Sequence, residues 1–129
     1  MKMKTKDIAL VKAQLLETRK VCPLCNTPFT KVESKNICLD HCHDSGYVRD
    51  VLCRNCNGNL GRLEGLATRS KKGLTMLGWL HNAAKFLEFH KIPRTEWIHP
   101  THKTEEEKRE LRNKRARTAR AKKKEVTNG

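Results

Sequence analysis

Two cysteine pairs, Cys22-Pro-Leu-Cys25 and Cys53-Arg-Asn-Cys56, with 27 residues between them, constrain this chain more than any other feature. Both thiolates of a CxxC turn can reach one ion, while backbone amides of the turn soften their charge. Two such pairs at a distance suit tetrahedral sulfur coordination, for which zinc is the default metal. Zinc on Cys22, Cys25, Cys53 and Cys56 would tie two distant stretches together, fix the loop between them and contribute folding free energy directly. In a secreted chain six cysteines could instead form a disulfide scaffold. The opening Met-Lys-Met-Lys-Thr-Lys-Asp, however, has neither the apolar stretch nor the cleavage site of a secretion signal. No apolar run approaches the roughly 20 residues of a spanning helix, so no membrane partner is expected. The expected location is cytoplasmic, where paired CxxC knuckles mean zinc more often than disulfides. Cys38 and Cys42 are left over and are expected to be free, buried thiols.

Charge narrows the partner. The formal net charge of the 129-residue chain is +14, and residues 108 to 124 hold ten basic residues against one acidic. So strong an excess points to a polyanion, usually nucleic acid. An anionic membrane is the competitor, but the basic stretch lacks the apolar face of an interfacial helix. Arg112, Arg115, Lys122 and Lys123 are the candidate phosphate contacts there, with Arg49 a further one in the cysteine-rich region. With 36% hydrophobic and 33% charged residues, burial alone gives a modest core. Small domains of this kind often need a metal or a second subunit.

Periodicity supplies the elements. Ile8, Val11 and Leu15 predict a helix over residues 5–19, with a solvated lysine face. Residues 26–35 read as loop. Ile37 to Leu39 and Tyr47 to Leu52 read as two short strands joined through Asp44-Ser-Gly46. A short helix opens at Cys56-Asn57 and runs through Leu60 and Leu63, and residues 65–73 read as a basic connector. A longer helix over about 74–90 carries a stripe of Leu74, Leu77, Leu80, Ala84 and Leu87, with Trp79, Ala83, Phe86 and His90 beside it. That face is wider than one small core requires, and either burial within the chain or a homodimer interface would cover it. Pro93 and Pro100 bracket an extended piece with Trp97. Thr104-Glu-Glu-Glu107 is a capping box for a last helix with almost no apolar face. That helix reads as a solvated arm, or one that orders fully on DNA. The organisation expected is a zinc-binding core over 1–64, a helical segment over 65–100 that would carry a dimer interface, and a basic, partly disordered arm over 101–129.

Between the cysteine pairs lies Asp40-His-Cys-His43, three potential ligands or bases in four residues, and Asn57 follows the second pair. A carboxylate suits a hard cation such as Mg²⁺ or Mn²⁺, and an imidazole can take a proton from water near neutral pH. Phosphodiester cleavage needs both an activated water and a cation on the phosphate. Geometry raises one difficulty. On an ideal strand Asp40 and His41 point to opposite faces. For both to serve one phosphate, the strand must end or twist there.

Leu39-Asp-His-Cys-His43, then Gly46-Tyr-Val-Arg-Asp-Val-Leu-Cys-Arg-Asn-Cys-Asn57 and Leu60-Gly61, closely resembles the phage recombination endonuclease VII family of HNH, or His-Me finger, nucleases. The resemblance runs from about Cys22 to Gly61, and Trp79-Leu80 is more loosely reminiscent of it. It implies an α+β, mostly helical fold. A zinc-stapled ββα-metal core would carry flanking helices and the basic C-terminal helical arm. It also implies that His41 is the general base, that Asp40 and Asn57 hold the divalent cation, and that His43 is an auxiliary ligand or hydrogen-bond donor. Three positions depart from the family. Cys42 stands where Asp is frequent, and Asp50 where Gly usually precedes the apolar pair before the cysteine. Leu60 stands where the phage T4 enzyme has an acidic residue near its active site, which leaves the metal's full ligand set open.

The function expected is metal-dependent hydrolysis of DNA, selective for branched forms such as four-way junctions and carried out by a dimer. An HNH homing or nicking endonuclease on duplex DNA is the nearest alternative. A non-catalytic zinc-knuckle DNA-binding protein is the alternative of another class, and it would have no use for Asp40, His41 and Asn57 together. A ribonuclease is compatible with the same residues, since no base-reading side chain is identifiable.

Overall fold

The computed structural model describes residues Met1–Asn128 as a mostly helical α+β chain with one two-stranded sheet. Two compact units divide it, Met1–Glu88 and Phe89–Gly129. The first begins with a 3-10 turn, Thr5–Asp7, that leads into helix α1, Ile8–Thr18. Leu15 and Leu16 of α1 pack on the core, whereas Ile8 and Leu10 stay exposed, so the docked face is its C-terminal half.

After α1 the chain makes a tight knuckle. The Cys22 amide donates to the Thr27 carbonyl at 2.9 Å and the Asn26 amide to the Cys22 carbonyl at 2.8 Å. Asn26 takes a left-handed φ of 60°, a conformation its short polar side chain tolerates. Two further 3-10 turns, Phe29–Lys31 and Ser34–Asn36, carry the chain to strand β1, Ile37–His41. Strand β2, Val48–Cys53, returns antiparallel to it. The hairpin closes through a bond of 2.9 Å from the Cys42 amide to the Tyr47 carbonyl, with Gly46 at φ +78°. That positive φ is what makes a glycine necessary at this turn.

Cys22, Phe29, Ile37, Val51 and Leu52 form the buried core, with Val32, Leu39 and Leu60 half-buried against it. Asp40 and Asp50 face one another across the hairpin, which would be unfavourable for two bare carboxylates. Each has its own arginine. Arg19 Nε reaches the Asp50 carboxylate at 3.0 Å and 3.2 Å, tying the end of α1 to β2, and Arg49 takes Asp40. The acidic residue at position 50 is thus a structural staple.

Helix α2, Arg54–Ser70, starts at the second cysteine pair. It also absorbs most of the stretch that reads as a basic connector from Gly65. Leu60 packs on the core and Ala67 is fully buried, so apolar spacing carries the helix past Gly61 and Gly65. Lys72, at φ 50°, and Gly73 end that course. Helix α3, Met76–Phe89, begins with Thr75 Oγ1 accepting from the Gly78 amide at 3.0 Å. No described residue of α3 is buried: Leu77 and Leu87 are 58% and 68% exposed, while Trp79 and Leu80 are half-buried.

The second unit holds helix α4, Glu105–Asn128, in which Leu111 alone among the described residues is even half-buried. Thr104 Oγ1 caps it through the Glu107 amide at 3.2 Å, and Lys108 pairs with Glu105 at 2.8 Å. In the loop before it the Arg94 guanidinium stacks over the Phe89 ring at 4.0 Å. Among the described residues no helix is long and apolar enough to cross a membrane.

Candidate active site and cysteine cluster

The four cysteines of the two CxxC pairs meet. Their Sγ atoms all lie within 4.8 Å of one another, and those of Cys25 and Cys53 are 3.8 Å apart. A tetrahedron with Zn–S bonds of about 2.3 Å has edges of about 3.8 Å, so the donor set fits a four-sulfur zinc site. Cys22 and Cys25 come from the knuckle after α1, Cys53 ends β2 and Cys56 lies in the first turn of α2. The Thr27 hydroxyl, 3.2 Å from Cys25 Sγ, and then the Thr27 amide lower the Cys25 thiol to about 6. Burial opposes ionisation of Cys22, but hydrogen bonds from the Cys53, Cys25 and Leu24 amides outweigh it and lower that thiol too. Cys56, which shares hydrogen bonds with Cys53 and the other sulfurs, is pushed up to about 12. Without an ion, four sulfurs this close cannot all ionise, and a divalent cation would relieve the conflict. Cys38 and Cys42 stay outside the cluster, half-buried rather than buried.

Beside the cluster, a cavity of about 260 Å³ is walled by the hairpin and α2. Asp40, His41, His43, Asn57 and Arg49 all line it. The pairing shifts by one residue between Asp40 and His41, with Asp40 opposite Asp50 and His41 opposite Val48. Arg49 is the extra residue, so the bulge lies in β2 beside these two side chains, and Asp40, His41 and Arg49 all line the same cavity. The His41 and His43 rings lie 5.1 Å apart between centroids, tilted by 54°. Asn57 enters from the first turns of α2, just beyond Cys56.

Arg49 has a more specific place than a surface phosphate contact. Its Nε donates to Asp40 Oδ2 at 2.6 Å and one terminal nitrogen reaches Asp40 Oδ1 at 3.1 Å and Glu64 Oε1 at 2.9 Å. The Asp40 and Glu64 carboxylates accept these bonds and raise the Arg49 pKa. Asp40 is buried, with 6% of its surface exposed, so the guanidinium supplies the counter-charge that burial demands. A carboxylate offers about four lone-pair sites, and Arg49 uses two, so Asp40 retains capacity for a cation on its cavity side. The Asn57 amide oxygen on the same cavity is a second donor of the oxygen type that hard divalent ions take.

Glu64 is the site residue that the sequence reading passes over. It lies seven residues after Asn57, on the same helical face, and supplies an acidic group that Leu60 cannot. The i, i+7 spacing from Asn57 was the available signal. Arg112, Arg115, Lys122 and Lys123 are exposed along α4, in the other unit.

Over residues 3–89, two thirds of its length, the chain matches the recombination endonuclease VII family. It belongs to that family. Among curated proteins no relative matches it. Membership in the endonuclease VII family implies a nuclease acting on DNA in recombination. The match takes in both cysteine pairs, the hairpin and helices α1, α2 and α3, and it ends where α3 does.

Proposed function

We infer that the chain is a metal-dependent endonuclease that hydrolyses phosphodiester bonds in branched DNA, through a ββα-metal site of the His-Me finger type. The observation that carries this reading is the meeting of Asp40, His41, His43 and Asn57 in one cavity, with β1, β2 and α2 as its walls. Cys22, Cys25, Cys53 and Cys56 hold a structural zinc ion that fixes the hairpin's end against α2. Asp40 and Asn57 hold Mg²⁺ or Mn²⁺, which supplies positive charge at the scissile phosphate and the leaving oxygen when bound.

The chain's own groups act around that charge. A ring nitrogen of His41 takes a proton from the attacking water. His43, one ring away, donates a hydrogen bond to a phosphate oxygen. Arg49 and Glu64 hold the Asp40 carboxylate in its rotamer, so that it meets the cation without rearrangement. Phosphate contacts along Arg112, Arg115, Lys122 and Lys123 give sequence-independent, salt-sensitive affinity. The exposed Leu77 and Leu87 of α3 support a homodimer, which supplies the two active sites that paired nicks across a junction require.

The test is cleavage of a labelled four-way junction and a linear duplex of the same arm sequence, with and without added Mg²⁺. The junction is expected to be cut far faster, and only with the cation. Equal cutting of both substrates would replace the junction reading with a nicking enzyme on duplex DNA. Tight binding without any cutting would leave a DNA-binding protein held by zinc.

A further inference from the structure

A second and larger cavity, about 920 Å³, opens on the other side of His41. Leu39 and His41 line both spaces, so they form a wall common to the two. Its remaining walls come from the N-terminal segment, which brings Lys2 and Lys4, and from the hairpin turn, which brings Ser45 and Tyr47. Among the described residues no carboxylate lines it. The volume lies within the roughly 300–1,000 Å³ typical of sites for nucleotide-sized ligands. Tyr47, the single tyrosine of the chain, is 77% exposed on this wall. The turn that presents it is fixed by the Cys42–Tyr47 backbone bond and by Ser45 Oγ, which accepts from the Tyr47 amide at 3.3 Å.

We propose that this groove seats an unpaired nucleotide of the strand being cut, with its base stacked on Tyr47 and its flanking phosphates on Lys2 and Lys4. The proposal rests on the nuclease reading and adds what that reading does not specify. Two lysines without a competing carboxylate select a polyanion. His41 in the shared wall puts a polyanion in this groove beside the strand whose phosphate His41 faces. An exposed aromatic ring beside phosphate contacts is the arrangement that holds single strands, because every base offers a π-face. A base in a continuous duplex is already stacked on both sides and has no face to give, so a tyrosine platform here favours sites where pairing is interrupted. Preference for branched DNA would then come in part from Tyr47, a few residues from the reacting centre.

The full chain, without added divalent cation, would be titrated into a fluorescently labelled duplex with a single-stranded tail and into its blunt counterpart, at several salt concentrations. Tyr47→Ala is expected to weaken binding of the tailed duplex roughly five-fold or more, with no change on the blunt one. Tyr47→Phe, which keeps the ring plane, should restore it. The double substitution Lys2→Ala, Lys4→Ala should lower the slope of log affinity against log salt by about 1.4 on the tailed substrate, for two single-strand phosphates. Zinc content and far-ultraviolet circular dichroism of each variant check that the fold persists. Wild-type affinity and slope in all variants, or equal weakening of tailed and blunt substrates by Tyr47→Ala, would overturn the groove while leaving the nuclease reading standing. Failure of the wild type to bind either DNA would remove both.

Discussion

Asp40 is a carboxylate taken almost wholly out of water, and Arg49 is what makes that tolerable. An unpaired buried charge costs several kcal/mol, and breaking a fully buried pair costs about 3–5. The guanidinium keeps one side in solvent, at 36% exposure, which screens the pair and lowers that figure. Arg49→Met is therefore expected to destabilise the fold by about 1–3 kcal/mol, read from urea unfolding of the zinc-loaded protein. The same substitution removes the guanidinium that fixes the Asp40 rotamer, so Mn²⁺ should bind more weakly, as measured by calorimetric titration. Tighter Mn²⁺ binding would show that Arg49 competes with the metal more than it orients Asp40. At this scale candidates were visible in the sequence where chemistry is bunched. Asp40, His41, His43 and Asn57 stood out because so many ligand-type residues fall within twenty positions, and all four line one cavity. Glu64 did not, because its link to Asp40 passes through Arg49 and through a helix that had to continue past two glycines. Arg49 could be read either as a phosphate contact or as an ion pair, and in the structure it bonds two carboxylates.

Among the elements, the hairpin and α2 depend on the cysteine cluster as well as on burial. Phe29, Ile37, Val51 and Leu52 are buried beside Cys22, and each contributes roughly 1.5–3 kcal/mol by leaving water. Structural zinc sites contribute apparent free energies of about 10–16 kcal/mol, as much as the whole stability of a typical domain. Removing zinc with a strong chelator is expected to melt the hairpin and release α1. That would appear as loss of most tertiary signal, with recovery when one equivalent of zinc is returned. A chelated protein that keeps its cooperative thermal transition would contradict the structural role of the metal. The spacing of the cysteine pairs predicted this junction of elements from sequence alone. The strand ends were less visible, since His41 pairs with Val48 only across a bulge at Arg49 of β2 that no local propensity announces. The reach of α2 to Ser70 was hidden for a similar reason: its glycines argue for a loop, and the burial of Ala67 overrides them.

At the scale of the whole molecule, apolar spacing located α3 nearly to its ends but could not tell a core face from an interface. Leu77 and Leu87 are exposed, and the oligomeric state decides whether a second copy covers them. The wild type is expected to sediment at twice the 14.9 kDa of one chain, and Leu77→Glu with Leu87→Glu at the mass of one. A monomeric wild type would remove the paired-nick account of junction resolution while leaving the active site intact. The central claim, that this fold hydrolyses DNA through His41, is tested most directly by His41→Ala in single-turnover cleavage of a four-way junction with Mg²⁺, beside zinc content and junction affinity. The account predicts a rate lowered roughly 10²–10⁴-fold, with both of the other quantities at wild-type values. A variant that cuts as fast as the wild type would show that His41 is not the base and that the cavity it lines is not where the reaction occurs.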